Sequence, residues 1–304
     1  MANTQLQTSH FETSLVPGPV TYSVLLPPDY DASHEHYALL YWLHGGEGDH
    51  RFLEHSAVTF EQLWADGVLP QMVVVTPTAT QTGYLDYHDG SQRWETLLTD
   101  EFLIHLRRHY RLMEDRSHTF ISGVSMGGGG ALNIGLKHPD LFGAILAWEP
   151  FVDAAFDWSG AKSKNLFYQV ADPNDKFGDP IDEGYWAANN PATIVRENAD
   201  TIRDAGIHIY LEVGSEDALE LNRGTDFLHR VLFDHDIRHE YRLVAGADHV
   251  GESFNWRIPD GLTFLNRIMQ PATVDPVVTG FRKWATALRD MGQNRRHTTT
   301  GEKQ

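Results

Sequence analysis

Ser125 lies at the centre of the pentapeptide Gly123-Val124-Ser125-Met126-Gly127, which matches the pattern G-x-S-x-G. The pentapeptide follows the apolar segment HTFISGV and precedes ALNIGLKHP, a segment that favours a helix. A serine on a sharp turn from a strand into a helix is exposed as a nucleophile, and the turn needs very small residues two positions before and after it. The N-terminus of the helix also favours negative charge nearby. We therefore predict that Ser125 is a nucleophile.

The glycine run 127–130 has an alternative interpretation as a phosphate-binding loop. A P-loop has the pattern G-x-x-x-x-G-K-[ST], and neither Lys-Ser nor Lys-Thr follows these glycines. The dinucleotide-binding pattern G-x-G-x-x-G fits the run only loosely, and it belongs after the first strand of a sheet rather than a later one. We expect instead that the glycines let the first turn of the helix pack closely against neighbouring strands.

A serine nucleophile needs a general base, and the base in turn needs a group that orients it. Of the 17 histidines, we choose His249, because it lies in a glycine-flanked loop after the alternating segment 239–244. For the acid we choose Asp217, which follows the apolar segment 207–214. Two alternatives stay open: Asp217 caps the helix that begins after it, and Glu149, at the end of FGAILAW, is the acid instead.

An attacking serine also needs two backbone N–H groups that stabilise the oxyanion formed from the substrate carbonyl. The N–H of Met126, directly after the nucleophile, is one candidate. The sequence YWLHGGEGD leaves another apolar segment through two glycines, and we choose the N–H of Gly46, with Gly45 as the next candidate. His44 is expected to be structural or to line the pocket. The predicted substrate-binding residues are His44, Gly45 and Trp94.

Short apolar segments alternate along the chain with longer amphipathic ones, which predicts alternating strands and helices. Continuous apolar runs of this length are typical of parallel strands that are buried on both faces. They lie at 37–46, 72–78, 118–124, 142–148 and 207–214. The segment 20–30 alternates and stops at a proline pair, which predicts an antiparallel strand. Helices are predicted at 93–110, 222–237 and 261–270. The predicted fold class is α/β, with a mainly parallel central sheet and helices on both faces.

The chain is long enough for one large domain, and no internal repeat divides it. We predict an N-terminal extension at 1–18 and a single catalytic domain at 19–291. The segment 149–205 is predicted to be an irregular insertion near the active site. Residues 292–304 are polar and are predicted to be a disordered tail. The amphipathic segment 275–291 is expected to pack on the core of its own chain or on a partner subunit, so a homo-oligomer is left open.

Composition excludes several classes of function. The chain has 24 basic and 42 acidic residues and a formal net charge of -18, which disfavours binding to nucleic acid or to an anionic membrane. It has no cysteine, which excludes disulfides, thiolate metal sites and a cysteine nucleophile. The sequence MANTQLQTSHFETSL lacks the pattern of a signal peptide, and no apolar run approaches the length of a membrane span. The sequence therefore predicts a cytoplasmic protein, and the chemistry expected of Ser125 implies neither a metal nor an organic cofactor.

Several of these segments together resemble a known family of esterases within the α/β-hydrolases. The resemblance is carried by LLYWLHGGEGD, VTP, FISGVSMGGGGAL, LEVGSEDAL and GADH, and it extends from about Thr21 to Gln270. The family includes S-formylglutathione hydrolase (esterase D), feruloyl esterases, enterochelin esterases and mycolyltransferases. The sequence departs from it in the histidine loop, which reads GADHVGESFNW where many members have G-G-H. The absence of cysteine disfavours a formylglutathione hydrolase.

The resemblance implies an α/β-hydrolase fold and the same roles for the residues chosen above. Ser125 would be the nucleophile, His249 the base and Asp217 the acid, with Gly46 and Met126 forming the oxyanion hole. The expected activity is hydrolysis, through an acyl-enzyme, of a small-molecule ester that carries a small acyl, acylated-sugar or aryl group. Two alternatives remain, an acyltransferase of the same fold and a non-catalytic binding protein on a hydrolase scaffold.

Overall fold

A single sheet of eight strands organises the computed structural model, which describes residues 4–271 and 273–300. The strands are β1 (Gln5–Phe11), β2 (Val20–Leu26), β3 (Ala38–Leu43), β4 (Met72–Pro77), β5 (Thr119–Val124), β6 (Ala144–Trp148), β7 (His208–Gly214) and β8 (Glu240–Val244). Their order across the sheet is β1-β2-β4-β3-β5-β6-β7-β8. The pairs β1/β2 and β2/β4 are antiparallel, and all other neighbours in the sheet are parallel. The predicted α/β class is therefore confirmed.

The central strands are apolar throughout because both of their faces are buried. In β3, Leu39 and Tyr41 belong to the core on one face of the sheet, whereas Leu40 and Trp42 belong to the core on the other. This alternation follows from the pleat of a strand, in which successive side chains point to opposite faces. A strand covered on both sides consequently shows a continuous apolar run, as the sequence indicated.

Helices cover both faces of the sheet. The helices are α1 (Phe52–Ala65), α2 (Trp94–Thr99), α3 (Glu101–His109), α4 (Met126–Lys137), α5 (Trp158–Lys164), α6 (Leu166–Val170), α7 (Asn174–Phe177), α8 (Glu183–Ala188), α9 (Pro191–Ala205), α10 (Leu221–Asp234), α11 (Phe254–Met269) and α12 (Pro276–Thr300). Side chains of α1 and α11 pack in the core on one face, and side chains of α2, α3, α4, α9 and α10 pack in the core on the other.

Three predicted boundaries differ from the structure. Residues 1–18 are not merely an extension, because Gln5–Phe11 forms the edge strand of the sheet. The helix predicted at 93–110 is two helices, which meet at Asp100 with a non-helical φ of −122° and ψ of −90°. Thr99 precedes this junction and Asp100 occupies it. Both residue types are weak helix formers, because their side chains compete for backbone hydrogen bonds. The helix predicted at 261–270 begins earlier, at Phe254.

The segment 149–205 is more regular than expected. It contains five helices, α5 to α9. Aromatic side chains of this segment form a small core of their own with Leu85, which belongs to the loop before α2. This small core consists of Leu85, Ala155, Trp158, Ala161, Tyr168, Phe177 and Trp186. We call it the aromatic cap.

The described chain divides into two units, the first ending at Met269 and the second beginning at Gln270. The single domain predicted at 19–291 is therefore shorter in the structure. The second unit contains α12, which extends to Thr300 and so includes most of the tail predicted to be disordered; residues 301–304 lie outside the described part. No helix in the described residues combines the length and the apolar character needed to cross a membrane. The cytoplasmic location and the homo-oligomer stay predictions.

Candidate active site

The predicted site residues come together at one edge of the sheet, where the parallel strands end. Leu43 of β3 pairs with Gly123 of β5, and Val124 pairs with Trp148 of β6. Since parallel strands in register end at the same edge, the loops after β3, β5, β6, β7 and β8 all emerge there. These five loops carry His44 to Gly46, Ser125, Glu149, Asp217 and His249.

Ser125 occupies a strained turn between β5 and α4. Its φ of 57° and ψ of −118° lie outside the regions that residues with side chains normally adopt, a strain of about 1–3 kcal/mol. The turn is held by backbone hydrogen bonds. The N–H of Ser125 donates to the carbonyl of Trp148 at 2.9 Å, and the Ser125 carbonyl accepts from the N–H groups of Gly129 and Phe151, each at 3.0 Å. The geometry is that of a nucleophile elbow.

The glycines around the turn are required by close contacts between backbones. A Cβ atom on Gly123 would lie 2.4 Å from the carbonyl carbon of Gly127, and one on Gly127 would lie 2.3 Å from the carbonyl oxygen of Leu43. Each glycine of the run 127–130 would place a Cβ within 3.0 Å of a neighbouring atom. The expectation that these glycines permit close packing of the first helical turn is confirmed.

We predict that Gly127→Ala destabilises the protein even though alanine favours helices. Helix propensity alone would stabilise α4 by about 1 kcal/mol. The new methyl group instead collides with the backbone of β3, and we expect a net loss of about 1–3 kcal/mol or more. Urea denaturation measures the change. Gly184→Ala in α8 is the control, because its Cβ meets only a side-chain oxygen of Asp182 at 3.3 Å. A stability of Gly127→Ala equal to that of the control would contradict the steric argument.

A hydrogen-bonded chain joins the three residues that were predicted to act together. Nε2 of His249 lies 3.0 Å from Oγ of Ser125, and Nδ1 of His249 lies 3.0 Å from Oδ2 of Asp217. The Asp217 side chain is fully buried, and that of His249 is 13% exposed. Asp217 therefore fixes the imidazole so that Nε2 faces the serine hydroxyl. This is the geometry in which an imidazole can accept the serine proton.

Asp217 is held in its ionised form by its hydrogen bonds. Burial raises the pKa of its carboxyl group, but the hydrogen bond with His249 and the neighbouring side chain of Glu149 outweigh burial, and the pKa is lower than usual. Its other oxygen, Oδ1, accepts from the N–H of Leu219 at 2.7 Å. Helix α10 begins later, after Glu220, so Asp217 is not its cap. The position of Asp217, in contact with His249 and outside the cap of α10, favours its predicted role as the acid over a role as a helix cap.

Asp248 connects the two loops that carry Asp217 and His249, a role that the sequence did not predict. Its Oδ1 accepts from the N–H of Ala218 at 2.8 Å and from the N–H of His249 at 2.6 Å. Its carbonyl oxygen accepts from Arg257 at 3.3 Å. Asp248 therefore fixes the distance between the acid and the base. Its position directly before His249 was the only signal in the sequence.

The side chain of His44 is hydrogen-bonded to the backbone of the loop after β3 and of the loop after β4. The ring is fully buried, its Nε2 accepts from the N–H of Ala79 at 3.0 Å, and its Nδ1 donates to the carbonyl of Gly45 at 2.7 Å. Burial lowers the pKa of the ring, more than its hydrogen bond to Gly45 raises it. Both ring nitrogens of His44 are bonded to the backbone, so neither is left for a ligand. The structure therefore gives His44 a structural role and not the predicted contact with substrate.

Gly45, the first of the two glycines after His44, lies beside Ser125. A Cβ on Gly45 would be 3.5 Å from Cβ of Ser125, and one on Gly46 would meet no atom within 4 Å. Met126 is the first residue of α4, where the N–H groups of a helix have no intrahelical partner. The backbone at Gly45 and at the start of α4 therefore lies next to Ser125.

Trp94 does not lie at the surface of the site. It is 4% exposed and belongs to the main core, and its Nε1 donates to the side chain of Gln92 at 3.0 Å. Trp94 therefore does not make the predicted contact with substrate. Its ring belongs to the apolar face of the helix that begins with it, and that face packs in the core. An aromatic residue nearer the nucleophile is Phe151, whose N–H bonds to Ser125 and whose ring packs against Phe167 at 5.4 Å between centroids.

A buried ion cluster lies behind Asp217. Arg257, on α11, donates to Oε1 of Glu149 and, at 2.7 Å, to Oε1 of Glu212, and all three side chains are fully buried. The N–H of Gly214 also donates to Oε1 of Glu149 at 2.9 Å. The sequence indicated Glu149 only as an alternative acid, and it gave no signal for Arg257, since a single arginine on an amphipathic helix usually lies at the surface.

Glu149, Asp217 and His249 are also the one group in the described residues that could bring three metal-ligating atoms together, all within 4.8 Å of one another. Each of these residues already has a hydrogen-bond or ion-pair partner. His249 bonds to Asp217 and Ser125, and the guanidinium of Arg257 supplies positive charge beside Glu149. The donor set is therefore better explained as a hydrogen-bonded chain than as a metal site.

Comparison with known proteins places the chain in a family. The family model described as "Putative esterase" matches residues 13–259. An esterase of Mycobacterium tuberculosis is 29% identical over 132 residues, which cover 42% of this chain and 28% of that protein. The acetyl esterase of Caldicellulosiruptor saccharolyticus is 31% identical over 117 residues, which cover 38% of this chain and 42% of that protein. The chain thus aligns with less than half the length of the curated relatives that it matches.

A solved structure extends the similarity to most of the chain. A ferulic acid esterase has a TM-score of 0.73 and 25% identity, and the match covers 88% of this chain and 99% of the esterase. The shared architecture is the α/β-hydrolase fold, as the sequence predicted. The family and its named relatives support ester hydrolysis. Because the family model matches well over half of its residues, the chain belongs to the esterase family.

Proposed function

We propose that the protein hydrolyses carboxylic esters through an acyl-enzyme formed on Ser125. The observation that supports this most strongly is the chain Asp217–His249–Ser125, with hydrogen bonds of 3.0 Å on both sides of the imidazole and the serine on a strained elbow. This combination gives the serine a base, an orienting acid and an exposed position. Membership of the esterase family agrees with the same chemistry.

The geometry suggests how the reaction proceeds. Nε2 of His249 accepts the proton of Ser125 as Oγ bonds to the ester carbonyl carbon, and Asp217 stabilises the imidazolium. The N–H groups of Gly46 and Met126, with Gly45 as the alternative to Gly46, stabilise the oxyanion. His249 then protonates the leaving alkoxide as the carbon–oxygen bond breaks. A water molecule then attacks the carbonyl carbon of the acyl-enzyme while His249 accepts its proton. The bond to Oγ breaks, His249 returns the proton to Ser125, and the carboxylic acid product leaves.

The substrate is expected to be a small-molecule ester with a small acyl, acylated-sugar or aryl group. Phe151 bonds to Ser125 through its backbone, and its ring packs edge to face against Tyr168 of the aromatic cap at 6.1 Å between centroids. Aromatic rings near a nucleophile favour flat groups, since such groups stack on them. Among the similar proteins, one is a ferulic acid esterase and another an acetyl esterase.

We predict that the protein cleaves p-nitrophenyl esters, and that the rate across acetate, butyrate, octanoate and a hydroxycinnamoyl ester shows which acyl group fits. Mass spectrometry of the quenched reaction should find the acyl group on the peptide that contains Ser125. Measuring acid and transfer products with added alcohols or sugars separates a hydrolase from an acyltransferase. Transfer in excess of hydrolysis would favour the acyltransferase, and the absence of both turnover and adduct would contradict the proposal.

A further inference from the structure

The carboxyl group of Glu149 lies within 4.8 Å of that of Asp217, and one of its oxygens has no donor that satisfies it among the described residues. Its Oε1 accepts from Gly214 N–H and from Arg257. Its Oε2 is fully buried, and it has no hydrogen-bond partner that donates to it among the described residues. A buried carboxylate oxygen without a donor is costly, because burial removes water and gives nothing in exchange. A proton on Oε2 removes this cost, since the oxygen then becomes a donor.

The charges around Glu149 favour this proton. From α11 it faces Arg257; from β7 it faces Glu212; from the loops beyond, it faces Asp217 and His249. Glu149 therefore lies among two further carboxyl groups, whereas the permanent cation among these groups, Arg257, forms its ion pairs with Glu149 and Glu212. When two carboxyl groups share a buried site, one of them keeps a proton. Asp217 must stay ionised to orient His249, so the proton belongs on Glu149.

The neighbours of Glu149 agree with this assignment. Burial, together with the neighbouring carboxyl group of Asp217, raises the pKa of Glu149 to about 7, even though Arg257 acts in the opposite direction. The pKa of Asp217, in contrast, is lower than usual. The backbone of Glu149 adopts a φ of 45°, in the left-handed region that favours glycine, so the fold maintains strain to keep this side chain in place.

We propose that Glu149 is a positioning residue: its Oε2 carries a proton that it donates in a hydrogen bond to the carboxylate of Asp217, and so holds the triad acid from behind. This inference rests on the proposed function insofar as Asp217 is the acid of the triad. Loss of the proton places two carboxylates side by side, which removes the hydrogen bond and pushes Asp217 away from Glu149. The site is therefore active while Glu149 is protonated and less active once it ionises.

The test compares Glu149→Gln with Glu212→Gln. Glutamine keeps an oxygen for Gly214 and Arg257, and its N–H₂ group donates to Asp217 as the protonated acid would, but it cannot ionise. Glu212→Gln makes the same chemical change on the other carboxyl partner of Arg257, and that partner is not part of the group that includes Asp217 and His249. The two variants therefore separate the proton on Glu149 from a general disturbance of the ion cluster.

The first readout is the dependence of kcat/KM on pH for a p-nitrophenyl ester, from about pH 5 to about pH 9. Above about pH 7, kcat/KM of wild type and of Glu212→Gln should fall at least about threefold, mainly because kcat falls. The kcat/KM of Glu149→Gln should show no such fall. The same alkaline loss in Glu149→Gln would overturn the proposal.

The second readout needs no turnover. Infrared difference spectra of wild type should show the carbonyl band of a protonated carboxyl group at about pH 6, which disappears as the pH rises past about 7. Burial also raises the pKa of Asp153, to about 6, so this side chain contributes a band with a lower midpoint in all three proteins. Glu149→Gln should lack the component that disappears past about pH 7, and Glu212→Gln should retain it. Persistence of that component in Glu149→Gln, or its absence from wild type, overturns the inference. Absence of esterase turnover with the band present would instead contradict the proposed function alone.

A further variant covers the case in which Glu149→Gln does not fold. Glu149→Asp keeps a titratable group on a side chain one methylene shorter, so its contact with Asp217 and its distance from Arg257 both change. The midpoints of the alkaline activity loss and of the infrared band should shift together. Midpoints that both stay at the wild-type value would show that another group carries the proton and would overturn the inference.

Discussion

Replacing Ser125 with alanine should reduce kcat by at least about 10³- to 10⁴-fold and leave the fold intact. The substitution removes the atom that forms the covalent bond, and residual turnover can come only from the backbone donors and from binding. It removes one hydrogen bond, to His249, and leaves the backbone of the elbow unchanged. We therefore expect the free energy of unfolding to change by no more than about 1 kcal/mol.

Ser122→Ala is a suitable control for this experiment. Ser122 is on the same strand as the elbow, is fully buried, and donates to the carbonyl of Tyr41 at 2.7 Å. Its removal should cost about 1 kcal/mol of stability and leave the rate at saturating substrate nearly unchanged. Substantial turnover of p-nitrophenyl acetate by Ser125→Ala, with the adduct found on another residue, would show that the chemistry takes place elsewhere.

The meeting of Ser125, His249 and Asp217 could be predicted from the sequence because each of the three residues carries a local signal. Gly123 and Gly127 mark the elbow by their spacing, and the contacts of both with neighbouring backbone explain why that spacing is needed. Asp217 and His249 each follow a segment that is recognisable as a strand. Since parallel strands in register end at one edge, residues that directly follow different strands can be expected to meet there.

The supporting residues could not be predicted, because their partners are distant in sequence. Arg257 and Glu149 are separated by 108 positions, and an arginine on an amphipathic helix has no local feature that shows it to be buried. Trp94 shows the opposite case, since an aromatic ring fits either a core or a pocket and only packing decides. The edge strand β1 has mostly polar, exposed residues, and its existence depends on pairing with β2 rather than on an apolar face.

Replacing Arg257 with methionine should lower the free energy of unfolding by about 3–5 kcal/mol at neutral pH. The side chain is fully buried, and it is the cation that offsets the charge of Glu212 and, once Glu149 ionises near pH 7, that of Glu149. Methionine fills most of the volume but leaves these two groups without a positive partner. Arg267→Met on the same helix is the control, because Arg267 pairs with Glu240 at the surface and should contribute no more than about 1 kcal/mol.

The stability loss in Arg257→Met should increase with pH. The pKa of Glu149, about 7, is already above its ordinary value of 4.5, so the folded protein binds this proton more tightly than the unfolded chain does. In wild type, the contribution of Glu149 to the free energy of unfolding is therefore greatest below pH 4.5. It falls as the pH rises to about 7, by up to about 1.4 kcal/mol per pH unit. Without Arg257, which lowers the pKa of Glu149, the decline continues to higher pH.

Urea denaturation at about pH 5 and about pH 8 measures this difference. The free energy of unfolding of Arg257→Met should be closer to that of wild type at the lower pH, because Glu149 is protonated there in both proteins. Combining it with Glu149→Gln and Glu212→Gln should restore part of the lost stability, because the unpaired charges are removed together with their partner. A loss that is equal at both pH values, and is not reduced in the triple variant, would mean that Arg257 contributes by packing rather than by charge. The ion cluster would then not be what stabilises Glu149 behind the acid.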